Sequence, residues 1–194
     1  MSKGKKYFVI YKPKGCLSQF SNEHGKKSLG DFFDLPNDVY PVGRLDEDSE
    51  GLLILTNDKT INSLLLDPSK GHWRTYFVQV SGQITKQAIK ELEQGLEIAV
   101  KNKIHKTLPA KAKKSAPPQN IPPMDVAESN TSWLKISLQE GKYRQVRKMT
   151  AKVGFPTLRL IRTHIEELEL GGLRPSEYKQ LEKKQLFRRL KLAE

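Results

Sequence analysis

Cysteine is almost missing from this chain. Cys16 is the single one, so no disulfide can form within the chain and no cluster of thiolates can hold a metal. The four histidines form no group with ligand spacing. No long apolar run is present either. The amino-terminal stretch MSKGKKYFVIYKPKG starts basic, but its apolar part is too short for the core of a secretion signal and far too short to span a membrane. The reading is a cytoplasmic protein with no membrane partner. No internal repeat is visible. Acidic residues are in deficit: 22 Asp and Glu stand against 34 Lys and Arg, a net charge of +12. A domain this basic points to a polyanion, nucleic acid first, with a surface charged for solubility as the plainer alternative. At 194 residues and 37% hydrophobic, the chain suits one domain or two small lobes, with enough apolar material for a core.

The pattern along the chain alternates strands and helices. KKYFVIYKP reads as a strand ended by Pro13, and SLGDFFDLP as a short helix with Ser28 as its cap. GLLILTN is a continuous apolar run, the mark of a buried strand, and KTINSLLLDP a helix stopped before Pro68. WRTYFVQVSG alternates as a strand with one buried face. TKQAIKELEQG carries Thr85 as N-cap and Gly95 as C-cap of a helix. Residues 101–123, rich in Lys and then Pro, read as a mobile basic connector with a short strand near TLPAKA. SWLKISLQ is an alternating strand, and GKYRQVRKMTAKVG a basic helix with Val146, Met149 and Val153 turned to the core. TLRLIRTHI returns as a strand in which Leu158 and Leu160 alternate against Arg159 and Arg162, and EKKQLFRRLKLAE is a terminal helix or a frayed end. The interleaving lacks the regular beat of a doubly wound fold, so the expected class is α+β with a mixed or antiparallel sheet flanked by helices.

One stretch runs against the basic whole. GRLDEDSEGLLILTN places Asp46, Glu47, Asp48 and Glu50 directly before the apolar strand. A calcium loop matches in part, but its twelfth position falls on Asn57 instead of a bidentate Glu. An aspartyl-phosphate enzyme would place the apolar strand before the acids, and here it follows. Capping of a turn accounts for Glu47 and Asp48. It leaves unexplained why Arg44 sits beside Asp46 with Gly43 and Gly51 bracketing the turn.

GRLDEDSEGLLILTN resembles the signature loop of the pseudouridine synthases, in the branch that modifies ribosomal RNA. YKPKG, RTYFVQV, EGKYRQVRKMTAKVGFPTLRLIR and LELGGLRPSEYKQL resemble further family stretches in the same order. CLSQF and the long third stretch look closest to the E-type branch, which acts on the large subunit and starts directly in the catalytic domain without an S4 RNA-binding module. The resemblance implies two lobes around one catalytic cleft, a catalytic domain over 1–183 and a basic tail over 184–194. It makes Asp46 the nucleophile and leaves Glu50 to brace the loop. Arg147 pairs with the catalytic carboxylate or, on the plainer reading, contacts phosphate. Tyr76 stacks on the uracil and helps remove the C5 proton, unless it is a core aromatic. Arg44 displaces the target base, binds its phosphate or braces the loop. Lys12, Lys14, Lys142, Arg144, Lys148, Arg159 and Arg162 are the expected RNA contacts. No cofactor or metal is implied, and the expected partner is a uridine in a ribosomal RNA stem-loop, met by a monomer. A synthase for transfer RNA or the small subunit, and a non-catalytic RNA-binding assembly protein, are the competing readings.

Overall fold

The computed structural model describes residues 4–22, 25–119, 121–123 and 130–193; residue 120 of the expected connector lies outside them. The chain forms two compact units. One takes the chain up to His72 and again from Arg162, and the other is Trp73–Ile161. The class is α+β, as the sequence pattern led us to expect.

In the first unit, β1 (Tyr7–Lys12), β2 (Tyr40–Pro41) and β3 (Glu50–Thr56) come before α1 (Thr60–Leu66). β1 pairs antiparallel with β3 from Tyr7↔Thr56 to Lys12↔Gly51, and β2 adds to β3 at Tyr40↔Thr56. Every residue of β1 and β3 is buried, which explains why both read as unbroken apolar runs: both faces of these strands are covered. One face packs Phe8, Ile10, Leu53 and Leu55 with Cys16, Leu29, Phe33 and Val39. The expected helix at SLGDFFDLP is a single 3₁₀ turn, Leu29–Asp31, whose start is capped by Asp31 accepting from the Ser28 N–H (2.7 Å) and hydroxyl (2.9 Å).

The second unit holds β4 (Arg74–Ser81), α2 (Lys86–Gln94), β5 (Glu97–Val100), β6 (Lys103–Lys106), β7 (Lys111–Ser115), β8 (Thr131–Leu138) and α3 (Gln145–Lys152). β8 lies between β4 and β7, antiparallel to both, and β5 and β6 form a separate hairpin. Thr85 accepts from the Ala88 N–H at 3.1 Å, and Gly95 ends α2, as its sequence implied. The expected connector holds more regular structure than the one short strand foreseen near TLPAKA: β7 begins in that stretch, at Lys111, and β6 precedes it. β7 is a lysine-rich end strand whose Ala112 turns inward while its lysines stay in solvent, a composition that suits an unpaired sheet edge.

β9 (Thr157–Ile165) starts in the second unit and carries the chain back into the first, followed by β10 (Leu168–Glu169), β11 (Tyr178–Leu181) and α4 (Lys183–Leu190). β11 pairs antiparallel with β1. The closing residues are a helix and not a frayed end. Leu186, Phe187 and Leu190 are buried, with the Phe187 ring edge-on to Tyr7 at 6.4 Å.

Gly51, the second residue of β3, has φ +106°, and a side chain there would run into the Arg162 carbonyl oxygen and come within 2.9 Å of the Arg162 nitrogen. Strain and backbone collision act together, so Gly51→Ala is expected to cost about 3 kcal/mol of stability. Urea unfolding of the variant measures this. A loss below about 1 kcal/mol would mean the neighbouring backbone yields easily.

Candidate active site

The acidic loop is built between two pieces of sheet. Val42 enters it by donating its N–H to the Ile54 carbonyl (2.8 Å), Gly43 turns the chain at φ +71°, and Glu50 begins β3. Asp46 heads a tight turn in which the Ser49 N–H donates to the Asp46 carbonyl at 3.0 Å. The loop is clamped on both sides of that carboxylate. Before it, the Ser18 hydroxyl accepts from the Leu45 N–H (3.0 Å) and donates to the Leu45 carbonyl (2.8 Å). After it, the Gly15 N–H donates to the Glu47 carbonyl at 2.8 Å. Arg44 is exposed and donates to Gln19 Oε1 at 3.1 Å. The stretch CLSQF therefore does physical work: two of its residues grip the loop that presents Asp46.

The four acids separate into distinct environments. Glu47 faces solvent and pairs with Lys26 at 2.7 Å. Glu50 is buried and accepts the Tyr11 hydroxyl at 2.8 Å, in keeping with a bracing residue. Asp46 and Asp48 are half-buried. Beneath them lies Lys12, with no exposed surface at all, its ammonium donating to the Ser49 carbonyl (2.8 Å) and the Pro13 carbonyl (3.0 Å). Burial pulls its pKa down. Cys16, Glu50, Asp46 and Asp48 pull it back up, and the balance is lowered to about 8. At pH 7 the loop thus sits on a buried cation.

This corrects the expectation that Lys12 touches phosphate: a side chain sealed under the loop cannot reach RNA. It also has a thermodynamic signature. Below pH 8 Lys12 is charged in both states and its burial opposes folding. Between pH 8 and 10.5 the unfolded chain holds the extra proton, so stability rises with pH. The unfolding free energy of wild type, minus that of Lys12→Met, is expected to climb by about 3 kcal/mol across that window. A flat difference in urea titrations would show that Lys12 is not buried as a cation.

The second unit carries the other named residues. Tyr76 is on β4 and 9% exposed, on the face of the strand that also presents Val78 and Val80. Arg147 lies on the first turn of α3, half-buried. Gln145, two positions earlier, fixes that turn. Its Nε2 donates to Glu140 Oε1 (2.6 Å) and its Oε1 accepts from the Lys142 N–H (2.9 Å). Glu140 also accepts from the Leu108 N–H at 2.8 Å and bonds His105 Nε2 at 2.9 Å. A buried carboxylate thereby ties the helix start to the segment that follows the β5–β6 hairpin.

The model of the RNA pseudouridylate synthase family matches residues 6–152. The chain belongs to that family. It is therefore an isomerase acting on RNA. The chain is 41% identical over 182 residues to a ribosomal large subunit pseudouridine synthase E of Vibrio parahaemolyticus, covering 92% of this chain and 74% of that one. It is 40% identical over 174 residues to a protein of the same name from Xanthomonas axonopodis pv. citri, covering 86% and 89%. Among solved structures, a pseudouridylate synthase superposes with a TM-score of 0.77 at 25% identity, over 96% of this chain and 74% of the other.

Within this family framework, the seven expected RNA contacts divide. Lys14 and Lys142 are exposed, and Arg144 is half-buried in a left-handed conformation at φ 53° just ahead of α3. Lys148 lies over the Tyr143 ring at 5.2 Å and donates to the Ala99 carbonyl at 2.6 Å. Arg159 and Arg162 are each only 5% exposed. Arg159 donates to the Pro122 carbonyl (2.7 Å) and Arg162 to the Leu52 carbonyl (2.8 Å). The expected alternation of β9, leucines in and arginines out, fails: Arg162 is two residues from Leu160 and shares its side of the strand, and β9 is buried over most of its length. Like Lys12, these two arginines serve the interior. Sequence reasoning missed Ser18, Gln19 and Glu140 as supports of the site. No spacing rule singles out a hydroxyl that acts across 27 residues of chain.

Proposed function

We propose that the protein isomerises a uridine of large-subunit ribosomal RNA to pseudouridine, with Asp46 as nucleophile. The observation that carries the target is the 40–41% identity, across nearly the whole chain, to relatives named for the large subunit. What supports Asp46 is its place on a loop clamped on both sides, beside Arg44 and above a buried ammonium. A carboxylate held in this way is poised for attack at a sugar carbon. An Asp46 oxygen attacks C1′ as the C1′–N1 bond breaks, and the bonding electrons leave with the uracil. The freed base turns, and its C5 bonds to C1′ as the carboxylate departs. C5 then loses its proton while N1 gains one, so atoms and charge balance with no cofactor. Tyr76 stacks on the base and assists the C5 proton transfer. Arg147 holds the carboxylate ionised. Exclusion of water keeps the detached base from being lost. A uridine reaches such a site only from a loop or after flipping out of its stack.

Lys14, Lys142, Arg144 and Lys148 contact phosphates, the protein works as a monomer, and it acts in the cytoplasm. No helix among the described residues is long and apolar enough to cross a membrane. If about six phosphates are neutralised, affinity for RNA is expected to fall about a thousandfold between 50 and 200 mM salt. Filter binding checks this, and a flat response would separate the basic surface from RNA.

The deciding experiment incubates the protein with unmodified transcripts of large-subunit ribosomal RNA, small-subunit ribosomal RNA and transfer RNA, then maps pseudouridine by carbodiimide adducts and primer extension. Modification of one large-subunit site is expected. Modification only of another RNA would replace the target, and modification of none would leave a binding protein.

A further inference from the structure

β8 alternates buried and half-exposed residues, and β4 does the same up to Val78. Beyond it Gln79 is buried, and Gln79 and Trp133 line a pocket with Pro117, Pro118, Ile121 and Pro123, so the open part of this face runs from Trp73 and Phe77 to the near edge of Trp133. Tyr76, Val78, Leu134 and Ile136 lie on the buried side. The other side presents Trp73, Phe77, Trp133 and three lysines. Across the ladder Phe77 stands opposite Lys135, and Lys135 opposite Lys113. Lys135 Nζ lies 5.6 Å from the centre of the Phe77 ring, and Lys111 Nζ lies 4.2 Å from that of Trp73. Lys111 and Lys113 are exposed, and the two tryptophans and Phe77 are half-exposed. None of the three strands contains an acidic residue: they read RTYFVQVS, TSWLKISL and KAKKS.

We propose that this face of the second unit's sheet, turned away from the side that carries Tyr76, is an additional RNA-binding surface that takes a single-stranded segment flanking the reactive uridine. The inference rests on RNA being the substrate. Charge complementarity joined to flat rings favours such a strand. A solubility surface has no use for half-exposed rings at Trp73 and Phe77, and a protein partner of ordinary composition would meet three cations on strands that carry no acid. A single strand offers phosphates to the lysines and base faces to the rings, and such stacking is indifferent to sequence. The lysines already seated on Trp73 and Phe77 are fixed where phosphates beside stacked bases would lie.

Trp73 and Trp133 are the only two tryptophans in the chain, so intrinsic fluorescence reports on this face alone. Titrating the full-length protein with unmodified large-subunit ribosomal RNA transcript is expected to quench the emission and to lower acrylamide quenching by about half, as stacked indoles leave solvent. Lys111→Gln, Lys113→Gln and Lys135→Gln combined are expected to cut the log–log salt slope of binding by about 2 and to weaken binding at 0.1 M salt by about a hundredfold. The matched triple Lys86→Gln, Lys90→Gln, Lys103→Gln, equally charged but elsewhere, should do neither. Equal losses from both triples would reduce the effect to net charge and overturn the proposal. A protein that forms pseudouridine while both tryptophans stay open to acrylamide also overturns it, leaving the proposed function intact. Tryptophan protection without any modified uridine upholds this surface and sinks the catalytic reading instead. The fluorescence arm uses the unaltered chain, so it decides even if a lysine variant fails to fold.

Discussion

Replacing Asp46 by Asn is expected to leave a folded chain that binds RNA and makes no pseudouridine. Asn keeps the size of the side chain, and the clamps from Ser18 and Gly15 run through the Leu45 and Glu47 backbones. The loop should therefore keep its shape. What is lost is the nucleophile, and a loss of about ten-thousandfold or more in turnover is the scale for that. Tritium release from RNA labelled at uridine C5 measures it. Turnover within about tenfold of wild type would take Asp46 out of the reaction. One side effect is specific. Asp46 is among the carboxylates that hold the charge on Lys12, so removing its charge should lower the Lys12 pKa further and move the alkaline rise in stability to lower pH.

Tyr76→Phe is the second large effect, and it separates the ring from the hydroxyl. Tyr76 projects from β4 among apolar neighbours and is still 9% exposed. If its ring only stacks on uracil, Phe should retain most activity, and Ala should lose about 1–3 kcal/mol of stacking. If the hydroxyl takes part in removing the C5 proton, Phe should fall about a hundredfold or more, close to Ala. The second pattern is the expected one, because the other family stretches of the sequence offer no histidine or further carboxylate as an evident base. Single-turnover rates at saturating RNA distinguish the two. A Phe variant that cleaves the glycosidic bond and then stalls before C5 deprotonation would be the clearest sign. Phe turnover equal to wild type would leave Tyr76 as a stacking platform.

Much of this was legible in the chain, for reasons that differ by residue. α2 was readable to both ends because Thr85 and Gly95 are local signals whose partners lie within four residues. β1 and β3 were readable because burial on both faces writes an unbroken apolar run. The β6 and β7 strands were obscured by lysine, since an end strand exposed to water needs few apolar residues. Lys12, Arg159 and Arg162 misled for a related reason. Sequence gives a cation's identity, but its burial depends on carbonyls brought in from far along the chain: Leu52 for Arg162, Pro122 for Arg159 and Ser49 for Lys12. The family motifs named Asp46. The hydroxyl of Ser18 that steadies it became visible only in three dimensions.

The order in which the strands join has a bearing on how the molecule is made. The second unit is a continuous stretch, Trp73–Ile161, and all its residues are in hand once Ile161 has left the ribosome. Those of the first unit are not. Its β1 must wait for β11, with Tyr7 meeting Leu181, and Gly51 nests against Arg162. Throughout translation of the inserted unit, two of the most apolar strands in the protein stand without their later neighbours. Such exposed strands are where nascent chains aggregate. An early-truncated product would hold the whole acidic loop on an unfinished sheet, so a stalled or nicked chain should be cleared as misfolded and should not linger as a partial enzyme.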